Sequence, residues 1–169
     1  DLAREPKPKV AVGLTYSSNQ NAIRTGGQLG LYLFDSRDIG TGMVDFLFKY
    51  NGWSFAAEYL RRTADDPITM NTEGEMRYVY VGHGQNFQGG YLFRNNFEIV
   101  GRYSKVRPDS EIQELEDMTQ QYAIGATKYI RGHRLKIQSD LTYEHNTWLS
   151  DQNPDKDFWM LRFQIEVGI

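Results

Sequence analysis

The segment DFWMLRFQIEVGI (157–169) places Trp159, Leu161, Phe163, Ile165, Val167 and Ile169 at every second position, with the polar Arg162, Gln164 and Glu166 between them. Successive side chains of a strand point to opposite faces, so a period of two describes a strand with one side set for an apolar medium and the other for water. A shift of one residue would exchange the two sides, which makes the pattern a strict constraint on the fold.

The same alternation recurs along the chain. It predicts strands near 9–16, 42–50, 52–62, 84–93, 96–106, 120–130, 133–144 and 157–168, with no helical period anywhere. The connections fall into two kinds. NG (51–52), RNN (94–96) and RG (131–132) are short polar turns, Asn-Gly being the strongest short hairpin signal. The segments 17–40, 63–83, 107–119 and 145–156 are long and rich in Asn, Asp, Gly, Ser and Pro. Short turns at one end and long connections at the other predict an all-β, antiparallel, up-and-down transmembrane barrel of the outer-membrane kind.

The aromatic residues fit that expectation. Tyr16, Tyr59, Tyr103, Tyr143 and Trp159 share the apolar parity at the ends nearest the long connections, and Tyr50, Trp53, Phe93 and Phe97 lie beside the short turns. Two such rows read as interfacial girdles. A soluble barrel or sandwich also alternates, with its apolar face packed inward. The unequal connections, the girdles and the small Gly13, Ala56, Ala123 and Gly125 on the polar parity favour the bilayer. The mean hydropathy of −0.60 and the lack of any long apolar run are compatible with it, because only half of each strand would face lipid.

Parity then assigns the faces. Val12, Phe48, Phe55, Ile99, Ile137 and Phe163 are expected against lipid. Lys9, Lys49, Arg62, Arg102, Arg134, Lys136 and Arg162 are expected to line the interior with Asp45, Glu58, Glu98, Asp140, Glu144 and Glu166, seven positive charges against six negative. That balance predicts little net field and weak ion selectivity, since anion preference in a pore needs a concentrated ring of basic side chains.

The terminal alternation resembles the C-terminal signal of bacterial outer-membrane proteins that the barrel-assembly machinery reads, with Ile169 where such strands most often carry Phe. Beyond it, DLAREPKPKVAVGLTYSSNQNAIRTGGQLG, MVDFLFKYNGWSFAAEYLRR, FQGGYLFRNNFEIVGRYS and QYAIGATKYIRGHRLKIQSDLTYEHN resemble the C-terminal half of the phosphate-selective porin O and P family, in the version common among Bacteroidetes. The resemblance implies half of a barrel of about 16 strands. It further implies a passive channel for small hydrophilic solutes or ions, including anions such as phosphate. The expected partners are outer-membrane lipid and lipopolysaccharide, the assembly machinery, the remaining half of the barrel and, as one assembly, a homotrimer. The alternative expectation is a small closed eight-stranded outer-membrane protein with a structural or adhesive role.

Catalysis and metal binding find little support in the residues. His83, His133 and His145 are not spaced as ligand pairs, and the chain has no Cys, so no metal and no cofactor is expected. NPDKD (153–157) gathers oxygen ligands that could suit calcium, but Asn and Asp are common turn formers, and a solvated connection is the better reading. No Ser and His pair falls on the lipid face as an outer-membrane phospholipase would need, so no enzyme is expected. Ser110 and Gln113 in PDSEIQELED (108–117) have capping-box spacing, which admits one or two helical turns in an outer loop. A net charge of −3 gives no basic footprint for nucleic acid. DLAREPKPK carries no apolar signal core.

Overall fold

The computed structural model describes residues 2–149 and 154–168. Ile169 and residues 150–153, which include Asn153 of the NPDKD segment, lie outside the described residues. The chain forms β1 (Lys9–Arg24), β2 (Tyr32–Tyr50), β3 (Trp53–Ala64), β4 (Ile68–Met70), β5 (Met76–Tyr78), β6 (Gly82–Leu92), β7 (Phe97–Pro108), β8 (Met118–Tyr129), β9 (Leu135–Thr147) and β10 (Lys156–Val167). There is no helix among the described residues.

Eight strands make one antiparallel sheet in the order β1-β2-β3-β6-β7-β8-β9-β10, and β4 pairs with β5 in a separate hairpin. Each of the eight predicted strands has its counterpart in the large sheet. The sheet is open, since β1 and β10 form its two edges and do not pair with each other. Asn51 and Gly52 connect β2 to β3 with φ of 45° and 89°. Positive φ at both central residues is what an Asn-Gly hairpin turn requires, because it matches the strand twist.

The register carries one apolar row set through every strand. Val12 opposes Phe46, Phe48 opposes Phe55, Tyr91 opposes Ile99, Ile124 opposes Leu141, and Ile137 opposes Ile165. These side chains are bare: Leu14 is 78% exposed, Phe163 76% and Tyr16 75%. The opposite face of the same sheet holds buried polar groups, Glu98, Thr127 and Thr142. A flat single sheet would expose both faces alike, so the sheet curls toward its polar side. Small residues permit that curl: a Cβ on Gly13 would strike the Asp45 carboxylate, and one on Gly90 would press on Val100 and Ser54.

The long connections differ from the sequence expectation. Most of 17–40 is strand: β1 and β2 continue to a tight turn at 25–31, with a bulge around Asn21, whose φ is 52°. Within 63–83, the β4–β5 hairpin folds back on β2, and the main buried cluster forms there from Ala22, Leu33, Ile39, Val79, Val81 and Ile112. Ile39 and its pair Ala64 share the parity of Thr41 and Arg62, so the hairpin lies over the polar face at the long-connection end. Residues 108–117 make hydrogen-bonded turns, with Ile112 fully buried, and form no helix. Ser110 Oγ donates to the Glu111 carboxylate at 3.2 Å.

Candidate functional site: the polar face

The concave face of β6 to β10 holds a groove of about 320 Å³ lined by Gln88, Glu98, Arg102, Tyr129, Asp140 and Arg162 with the small Ala123 and Gly125. Alternation and register together place these side chains side by side, since Gln88 opposes Arg102, Arg102 opposes Ala123, and Asp140 opposes both Gly125 and Arg162.

Most charges on this face are anchored. Arg162 donates from Nε and Nη2 to both oxygens of Asp140 at 3.0–3.1 Å. Lys136 Nζ sits 2.9 Å from Glu166, and Tyr129 donates its hydroxyl to Glu98 at 2.6 Å. Gln121 and Asn146 donate to Glu144 at 2.7 and 3.0 Å, Asn86 to Glu58 at 3.1 Å, and Arg62 Nε to Thr41 Oγ1 at 3.3 Å. Lys9 pairs with Glu5 at 2.7 Å. Asp45, Lys49 and Arg102 form no ion pair among the described residues. Arg102 is the notable case, because its Nε is buried in the groove wall without a hydrogen-bond partner. Alternating, mutually paired charges present a polar surface with little net field, and such a surface exchanges hydrogen bonds with water and small solutes without holding a given ion.

Of the thirteen sequence-selected lining residues, Arg134 departs from the set. It is exposed in the turn before β9, where its carbonyl accepts from the Gly168 amide at 2.7 Å. The other twelve lie on one face by register. That face is less uniformly polar than the sequence suggested, because Met43 opposes Leu60 and Leu47 opposes Ala56 on it.

The six residues expected against lipid share the opposite face by register. Aromatic rings border that face at both ends, mostly in tilted or edge-on contact. Near the long connections Tyr103, Tyr122, Tyr143 and Trp159 follow one another at 5.0, 6.3 and 4.9 Å between centroids. Tyr59 stacks on His83 at 6.3 Å, and Tyr16 lies on β1 opposite Gly42. Near the short turns Trp53, Tyr91, Phe93 and Phe97 do the same at 4.7, 4.9 and 6.2 Å, with Tyr50 opposite Trp53. Lys128, on the apolar parity, reaches the turn carbonyl of Asn95 at 2.6 Å.

Sequence reasoning missed the β4–β5 hairpin and the ion pair and hydrogen bonds that fix it. Arg37 bonds Asp66 at 3.3 Å, Arg77 donates to the Tyr32 carbonyl at 2.7 Å, and Tyr78 donates to Glu116 at 2.6 Å. Burial, followed by the contact with Glu116, pushes the Tyr78 hydroxyl up to about 12, and burial pushes Tyr80 to about 12 as well. The signal was YVYV (78–81), an apolar run inside a polar segment. Among the described residues no group of three or more His, Asp or Glu could hold a metal ion. His145 is instead flanked by Asp157 at 2.6 Å and Asp155 at 3.7 Å.

The features above define an open antiparallel sheet with one apolar, ring-bordered face and one polar, internally paired face. No protein-family model, no curated protein and no solved structure matches the chain.

Proposed function

We propose that this chain is the C-terminal half of an outer-membrane porin resembling the phosphate-selective porin O and P family, and that the polar face lines a weakly selective channel for small hydrophilic solutes. One observation carries the proposal: the single sheet bares its apolar face and curls its polar face inward, the reverse of what water demands of an uncovered sheet. Exposed apolar surface on this scale marks a protein or membrane contact, and two aromatic rows at its borders favour the membrane. The unpaired edges β1 and β10 weigh toward a larger barrel over a closed eight-stranded one. In the intact channel the β4–β5 hairpin would narrow the wide-looped mouth from one side.

The pairing of Arg162 with Asp140 and of Lys136 with Glu166 argues against a phosphate-selecting ladder in this half. Planar-bilayer recording of the intact protein under a salt gradient tests the reading. The expected reversal potential is close to zero, with chloride current unaffected by low phosphate. A potential near the ideal anion value, or block by phosphate, would overturn it.

A further inference from the structure

The outward face carries a cluster of basic side chains that a pore does not explain. Above the outer girdle, Arg61, His83 and Arg107 stand in one row on β3, β6 and β7, and Lys105 lies one step below Arg107 on the same face. These residues share the parity of Tyr59, Phe87 and Tyr103, so the basic groups stand on the face opposite the groove. Arg61 is engaged by Asp109 at 2.6 Å. Lys105 and Arg107 have no anionic partner among the described residues, and Asp157 on the same face is taken up by His145 and Tyr143.

Directly below, the apolar face has a trough. Gly89 and Gly101 oppose each other on β6 and β7, and a Cβ on Gly101 would meet nothing within 4 Å. It is made of two hollows that share Phe55 and the two glycines, one walled by Ile99 toward the short turns and the other by Phe87, Tyr103 and Ile124 toward the basic row. From Arg107 to Gly101 the strand advances roughly 20 Å at about 3.4 Å per residue. With a tilt of roughly 45° that is about 14 Å of depth, half of an apolar core about 30 Å thick. The basic row and the trough are therefore spaced as the two ends of one lipid in one leaflet.

We propose that the outward face of β6 and β7 binds an anionic membrane lipid with a phosphate monoester headgroup, with Lys105 and Arg107 on its phosphate and an acyl chain lying in the trough over Gly89 and Gly101. The site rests on the assignment of the apolar face to lipid. Charge complementarity selects the headgroup, since a phosphate monoester accepts several charge-assisted hydrogen bonds and a zwitterionic headgroup carries an opposing charge. The paired glycines form a gap that a flexible hydrocarbon chain fills.

Native mass spectrometry of the intact protein, released from detergent with phosphatidic acid or phosphatidylcholine of the same acyl chains, tests this. Wild type is expected to retain phosphatidic acid about tenfold more, a preference of the size charge-assisted bonds supply. The double variant Lys105→Gln, Arg107→Gln should lose the preference, Gly101→Trp should weaken retention of both lipids, and Lys128→Gln at the opposite rim should change neither. Equal retention of the two lipids by wild type, or an unchanged double variant, overturns the site while leaving the barrel intact. A Gly101→Trp variant that keeps its lipid but loses self-association would assign the trough to a second barrel and overturn the proposal. Failure of wild type to insert into vesicles would overturn the barrel reading itself.

Discussion

At the scale of single residues, Tyr78 reports whether the β4–β5 hairpin stays docked. Its hydroxyl is half-buried and donates to Glu116. The folded state therefore favours the neutral phenol and raises its ionisation to about 12 from the ordinary 10. The stabilisation from this raised value is complete below about pH 10 and is lost as pH rises toward 12. Absorbance titration at 295 nm should accordingly find tyrosines that ionise well after the exposed ones. Glu116→Gln removes both the acceptor charge and the repulsion of the phenolate, so Tyr78 should then titrate earlier. Unchanged late ionisation in Glu116→Gln, with Tyr80→Phe and Tyr129→Phe in the background to remove the other buried phenols, would mean that the hairpin does not sit against residues 109–117.

Within the strands, the two faces give opposite answers to the same substitution. Phe163 lies on the apolar face, four residues inward from the girdle residue Trp159, and neighbouring Gln164 opposes Gln138 on the polar face. Phe163→Arg should cost about 2–4 kcal/mol in urea-dependent folding of the intact protein into vesicles, the range for a cation placed near mid-bilayer. Gln164→Arg should stay within about 0.5 kcal/mol. Were the chain a water-soluble sheet, Phe163, at 76% exposure, would accept arginine at least as readily as Gln164 does. These strands were legible in the sequence because one face of each is apolar and the other mostly polar along the shared register, which leaves a period of two. The outer parts of β1 and β2 were not, because SSNQN (17–21) and DSRDIG (35–40) carry polar residues on both parities. A strand wetted on both sides has no alternation to display. The hairpin was hidden for a different reason: its strands span three residues each, and Thr69, buried there, bonds the Phe34 amide and the Arg77 carbonyl, so part of its core is polar. Of the candidate site, parity gave the face for all but Arg134, whereas the partners of each charge depend on cross-strand register that the sequence leaves open.

For the molecule as a whole, the edges decide what the sheet belongs to. β1 and β10 present rows of backbone N–H and C=O groups without a neighbouring strand, and each such group left unpaired in hydrocarbon costs several kcal/mol. An up-and-down sheet of eight strands has edges running antiparallel to each other, so the same two edges could join one another or the two edges of another eight-stranded set. Hydrogen exchange separates these outcomes. In the 169-residue chain by itself, β6 to β8 should be protected by neighbours on both sides while amides of β1 and β10 exchange quickly, and in the intact protein both edges should become as slow as β7. Protection of both edges in a species whose intact mass is 19.6 kDa would instead require β1 to pair with β10. Eight strands would then enclose an interior just wide enough for side chains, Arg162, Asp140, Glu98 and Tyr129 would fill it, and no solute could pass.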